Sequence, residues 1–140
     1  MTETTLANRL PKALLSLRLG VFIVMLMWTL DKFVAPGHAA AVWANFYMIG
    51  GLGPAAFYVI GTLQLVLVLA FVAGVYRKWT YGAIFLLHGI STVSSWPQYL
   101  GFDNLLFFAA WPMLAACFTL FILRDFDTMW TLGEPKVQPA

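Results

Sequence analysis

Four long apolar stretches, separated by short polar or Gly- and Pro-marked connections, divide the chain at residues 14–30, 55–75, 80–95 and 105–123. A helix needs about 20 apolar residues to cross a hydrocarbon core roughly 30 Å thick, and each stretch approaches that length. Ser16 and Arg18 interrupt the first, the second has no charge, the third is the most polar, and the fourth contains Pro112. The pattern predicts an all-α fold, a transmembrane four-helix bundle over residues 13–127. Pro112 removes one backbone bond and predicts a kink near Phe108. Residues 1–12 read as a flexible cytoplasmic tail and residues 128–140 as a cytoplasmic C-terminal tail.

Composition reinforces this reading. Apolar residues make up 61% of the 140 residues and charged ones 10%, against roughly 45–50% and about 25% in soluble proteins. Too little charge remains to wet a soluble surface, so much of the surface is expected to face lipid. A net charge of +2 with no basic run argues against nucleic acid as a partner.

Positive charge gives the bundle a direction, because loops rich in Lys and Arg stay on the cytoplasmic side. Arg9, Lys12 and Arg18 precede or open the first stretch, Arg77 and Lys78 separate the second from the third, and Arg124 and Lys136 follow the fourth. Only Lys32 falls on the opposite side. The bias predicts both termini inside. A cleavable signal peptide ending at Ala39-Ala40-Ala41 is disfavoured, because Asp31, Lys32 and Phe33 hold those alanines too far from the apolar core.

The connections differ in kind. Tyr76 to Trp79 reads as a tight inner turn, making the second and third spans antiparallel neighbours. The outer loop from Asp31 to Pro54 is longer, and Ala39 to Ile49 within it is helix-compatible and uncharged, which predicts a short helix lying in the interface or dipping into the bundle mouth. Trp28, Trp43, Trp79, Trp96 and Trp130 fall near the expected boundaries, as an aromatic belt would place them.

Little soluble-type chemistry is visible. Two histidines and one cysteine, Cys117, build no convincing metal site, and neither a phosphate loop nor a nucleophile motif is present. Polar residues at membrane depth remain, and their burial cost makes them functional candidates. His88 and Gln64 are expected at similar depths on adjacent helices, within reach of a mutual hydrogen bond. Ser91, Thr92 and Ser95 follow His88 at i+3, i+4 and i+7 and share its face. Two readings of that stripe stand: it lines an outward-opening cavity for a polar or quinone-like head group, or each hydroxyl bonds its own i−4 carbonyl. Toward the mouth lie Trp96, Asp31, Lys32 and Asp103, with Asp103 a potential partner for Lys32. Arg18 is expected to snorkel toward the inner head groups, with pairing inside the bundle as the alternative.

The run Arg18-Leu19-Gly20-Val21-Phe22, then Trp28, Lys32-Phe33 and Pro36-Gly37, resembles the opening of the DoxX/DoxD-like family of small bacterial four-helix membrane proteins. Gly61 and Gln64 resemble its second-span signature, and Gly74 with Arg77-Lys78 its inner turn. The sequence departs from the family pattern in three places. Gly20 stands two residues after Arg18, Trp28 or Thr29 stands where a glycine is usual, and Gln64 replaces a commonly acidic residue. Over residues 14–127 the resemblance implies the bacterial inner membrane and a place beside respiratory or sulfur redox chemistry. It also implies an accessory subunit of a larger complex, with quinone as a candidate ligand. A small oligomeric transporter or channel subunit, and a purely structural subunit, are the alternatives.

Overall fold

The structure, a computed structural model, describes residues 3–133. Those residues are helical throughout, with connecting turns. Helix α1 runs Glu3–Val34, α2 Pro36–Tyr47, α3 Pro54–Val72, α4 Arg77–Ser94 and α5 Trp96–Tyr99. A 3₁₀ turn, Leu105–Ala109, leads into α6, Ala110–Ile122. Among the described residues three helical stretches are long and apolar enough to cross a membrane: α1, α3 and residues 105–122. The expected third stretch falls on α4, whose 18 residues extend about 27 Å at 1.5 Å per residue.

Local chemistry explains the breaks. A residue before proline is pushed out of the helical region, and Ala35, ahead of Pro36, has φ −137° and ends α1. Pro54 opens α3 at a position where its missing N–H is no loss. At the other end of α3, Gly74 adopts φ +65°. Val75 N–H donates to Ala70 O and Gly74 N–H to Phe71 O, both at 3.0 Å. That is the Schellman arrangement, which satisfies the last carbonyls of a helix through a left-handed glycine. The irregularity expected near Phe108 is the 3₁₀ turn itself, which gives way to α-helix at Ala110, ahead of Pro112.

Residues 3–12, expected as a flexible tail, are helical and continuous with the rest of α1. Residues 1–2 and 134–140 of the expected tails lie outside the described residues.

Helix α1 packs against α3 and α6, and α4 against the same two. The core between them includes Leu14, Val21, Val68, Phe71, Ile84 and Leu120, all essentially without exposure. The outward surface is also apolar. Val59, Leu63 and Val66 of α3 are 61%, 68% and 64% exposed, a face that water would oppose and lipid would accept. This is compatible with a multi-pass membrane protein.

After α6 the chain turns back, and Leu132 N–H donates to Ala73 O at 2.9 Å. A Cβ on Gly74 would lie 2.5 Å from Thr131 Cγ2 and 2.7 Å from Arg18 Nη1. Gly74 therefore answers two demands at once, a positive φ and a close approach. Gly74→Ala is expected to destabilise the protein by about 1–3 kcal/mol, read as a lowered melting temperature in detergent. An unchanged melting temperature would contradict the assignment.

Candidate functional site

Among the described residues two polar centres stand out, a buried cluster and a cavity. At the first, Arg18 of α1 is fully buried, as is Asp127 beyond α6. Arg18 Nη1 lies 3.6 Å from Asp127 Oδ2 and donates to Tyr81 Oη at 3.3 Å. Its Nη2 donates to the carbonyls of Met129 and, at 3.4 Å, Trp130. Tyr81 Oη donates to Asp127 Oδ2 at 2.7 Å, and Arg77 Nη1 donates to the Asp127 carbonyl.

The expectation that Arg18 snorkels to the head groups is therefore corrected. The segment after α6 brings a carboxylate and two carbonyls to it, and a buried guanidinium is tolerable only when so surrounded. Burial pushes the Asp127 carboxyl above its ordinary value, while Tyr81 and the two guanidiniums pull it back down. Among the described residues, Arg18 Nε and Asp127 Oδ1 have no hydrogen-bond partner.

The second centre is a cavity of about 1090 Å³ between α1, α2, α4 and the 105–116 stretch. One continuous face of α1 lines it, from Ser16 to Lys32. Aromatic side chains form much of its outer wall: Trp28, Trp43, Phe46 and Phe107. Helix α2 is held there by ring contacts, Trp43 edge-on to Phe57 at 5.6 Å and Phe46 to Phe107 at 5.8 Å between centroids.

Of the residues singled out from the sequence, Asp31, Lys32, Gln64, His88, Ser91, Thr92 and Ser95 all line this cavity. Arg18 belongs to the other centre, while Trp96 and Asp103 are exposed and are not among the lining residues. The expected His88–Gln64 hydrogen bond does not form. Instead His88 Nε2 donates to Ala110 O at 3.0 Å, tying α4 to the start of α6. In a neutral ring this leaves Nδ1 as an acceptor. The hydroxyls of Thr92 and Ser95 bond the carbonyls of His88 and Ser91 at 2.8 and 2.9 Å. The local back-bonding alternative thus holds for both, although both also face the cavity.

Lys32 departs from expectation most usefully. It is 7% exposed, and its Nζ donates to Trp28 O at 3.0 Å. Asp31 turns instead to His38, with both carboxylate oxygens 2.9 Å from His38 Nδ1. Among the described residues no carboxylate, Asp103 included, forms a salt bridge with Lys32. An ammonium has three donors, so two remain for something else. Gly61 of α3 fixes its position: a Cβ there would come within 3.2 Å of Lys32 Cβ and 2.9 Å of the Phe33 ring.

What the cavity can do chemically follows from these groups. It offers a buried cation, an imidazole and hydroxyls to a polar head, within walls suited to a ring or chain. Among the described residues no group of three His, Cys, Asp or Glu side chains is placed to hold a metal ion. The chain matches no family model, no curated protein and no solved structure.

Pairing of Arg18 inside the bundle stood as an alternative, but its partner was not legible, because Asp127 lies 109 positions away, beyond any local pattern. One signal was present: Arg18 shares the spacing of Leu14, Val21 and Met25, the buried stripe of α1. Asp127→Ala is expected to strand a buried guanidinium and cost about 3–5 kcal/mol. Replacing Arg18 and Asp127 together by Met and Leu should recover most of that loss. Thermal unfolding in detergent measures both, and equal losses in the single and double variants would contradict the pairing.

Proposed function

We propose that this chain is a four-span protein of the bacterial inner membrane, with both termini cytoplasmic. In this reading it serves as an accessory subunit beside respiratory or sulfur redox chemistry, and its cavity receives a quinone head group. The resemblance of residues 14–127 to DoxX/DoxD-like proteins supports the setting, and bilayer lipid and larger redox subunits are the partners it implies.

Support for the fourth crossing comes from where the ends meet. Arg18, the end of α3 at Gly74, the start of α4 at Arg77 and Tyr81, and the segment after α6 all meet at one end. If α1, α3 and residues 105–122 cross a membrane, α4 has to carry the chain back between them. Its polar stripe then faces the cavity rather than lipid, which accounts for its lower hydropathy.

The observation that carries the ligand assignment is Lys32, a buried amine in an aromatic-walled cavity that forms no salt bridge among the described residues, the Asp31 carboxylate acting on it only at longer range. Quinone fits this donor set: its ring suits Trp28 and Trp43, and its carbonyl oxygens accept from Lys32. When bound, quinone supplies a two-electron, two-proton carrier, and the protein's groups hold and orient it. The transporter alternative draws on the same stripe, but the buried Arg18 centre, covered by residues 127–131, weighs against a continuous pathway.

Quinone is expected to co-purify with the wild type and to quench tryptophan fluorescence saturably on re-addition. Losing a hydrogen bond from a charged donor corresponds to about 10- to 100-fold weaker binding, the effect expected of Lys32→Met with little change in melting temperature. His88 Nδ1, an acceptor, can serve the hydroxyl of the reduced quinol, so His88→Ala should weaken quinol binding more than quinone binding. Absence of saturable binding, or a Lys32→Met variant binding as tightly as wild type, would refute the reading.

A further inference from the structure

The cavity is longer than a head group requires. Its lining on α1 extends from Lys32 back to Ser16, about 24 Å along the helix axis at 1.5 Å per residue. Its polar groups are unevenly distributed along that length. Lys32, Ser91, Thr92 and Ser95 lie toward one end, and Gln64 and His88 follow at mid-length. Beyond them the α1 side is Leu17, Gly20, Val21 and Val24, faced by Met113 and Ala116 of α6. Only Ser16, at the limit, interrupts the apolar half. Gly20 is exposed here, and a Cβ built on it meets nothing within 4 Å.

We propose that this apolar half seats the hydrocarbon tail of the ligand, so that the site takes a long-chain isoprenoid quinone with its head at Lys32 and its tail along Gly20. The inference rests on the quinone reading above and adds the tail. The graded cavity has the polarity of such a molecule, polar oxygens at one end and a long apolar chain at the other. Val24, beside Gly20, is 39% exposed, so the apolar half is open along this side and a tail can enter sideways from the surrounding lipid. A tail arriving from lipid gains little from leaving an apolar solvent, and tightness must come from packing against the slot. Gly20 therefore becomes the controlling position: a side chain there occupies the tail's space without touching the polar end.

The test uses the full chain in detergent and a quinone carrying a photoreactive diazirine at the end of its tail. Saturable tryptophan quenching reports the head, and mapped cross-links report the tail. Wild type is expected to cross-link at Leu17, Val24, Met113 or Ala116, and unlabelled long-chain quinone should suppress the products. Gly20→Leu should lower those cross-links by about tenfold or more, the scale of an overpacked site. It should leave quenching by a short-tailed quinone intact. Its melting temperature should hold or rise, since leucine favours helix over glycine.

Saturable quenching with cross-links only at Ile23, Met27 or Leu63 on the outer surface would overturn the tail assignment, as would cross-links that Gly20→Leu leaves unchanged. A phospholipid labelled on its acyl chain that fills the slot and resists displacement by quinone would also overturn it. No saturable quenching at any tail length would instead remove the quinone reading on which the assignment rests.

Discussion

A guanidinium deprived of water has to be enclosed by acceptors, and the way Arg18 meets that demand organises one whole end of this protein. Its partners come from α4 through Tyr81 and from the returning segment through Asp127, Met129 and Trp130. The same segment leaves no room for a side chain at Gly74, so the left-handed cap of α3 belongs to the same construction. Buried ion pairs are weak sources of net stability, yet breaking one is costly. The cluster therefore acts as a constraint more than as a glue: it penalises any arrangement in which these four chain segments do not meet.

Beside that cluster the helices are less densely filled. The cavity runs along the neighbouring face of α1 from Ser16 to Lys32, and α2 is held at it through the contacts of Trp43 and Phe46. Helix α1 serves both regions. Leu14, Arg18, Val21 and Met25 form its buried stripe, and the neighbouring face with Gly20 and Val24 borders the cavity. Lys32, near the end of that helix, is a second buried basic residue, but among the described residues it forms no salt bridge such as Arg18 has with Asp127. The ligand site proposed above rests on that difference between two cations on one helix.

The helices were legible in the sequence because apolar length is a property of contiguous residues. So was the grouping of His88, Ser91, Thr92 and Ser95, since helical spacing alone puts them on one face. Pairings between distant segments were not. Gln64 and His88 sit at related depths, but depth does not fix rotation about the helix axis, and the His88 ring turns to Ala110. Asp103 was the potential partner for Lys32 and forms no salt bridge with it among the described residues, while the Asp31 carboxylate is claimed by His38, seven residues on. Arg18 shows the same limit in reverse: its register pointed inward, while its position near a span boundary pointed to the head groups. The register decided, because a partner for it arrives from the far end of the chain.

The central claim is that α4 crosses the membrane, so that both ends of the described chain share one side with the Arg18 cluster. Reporter fusions test it most directly. Green fluorescent protein or alkaline phosphatase would be joined after Gly133 and, separately, within 48–53 and 100–104. The account predicts a fluorescent, phosphatase-inactive fusion after Gly133 and phosphatase-active fusions in both loops. An active phosphatase after Gly133 would place that end outside and contradict the four-span account.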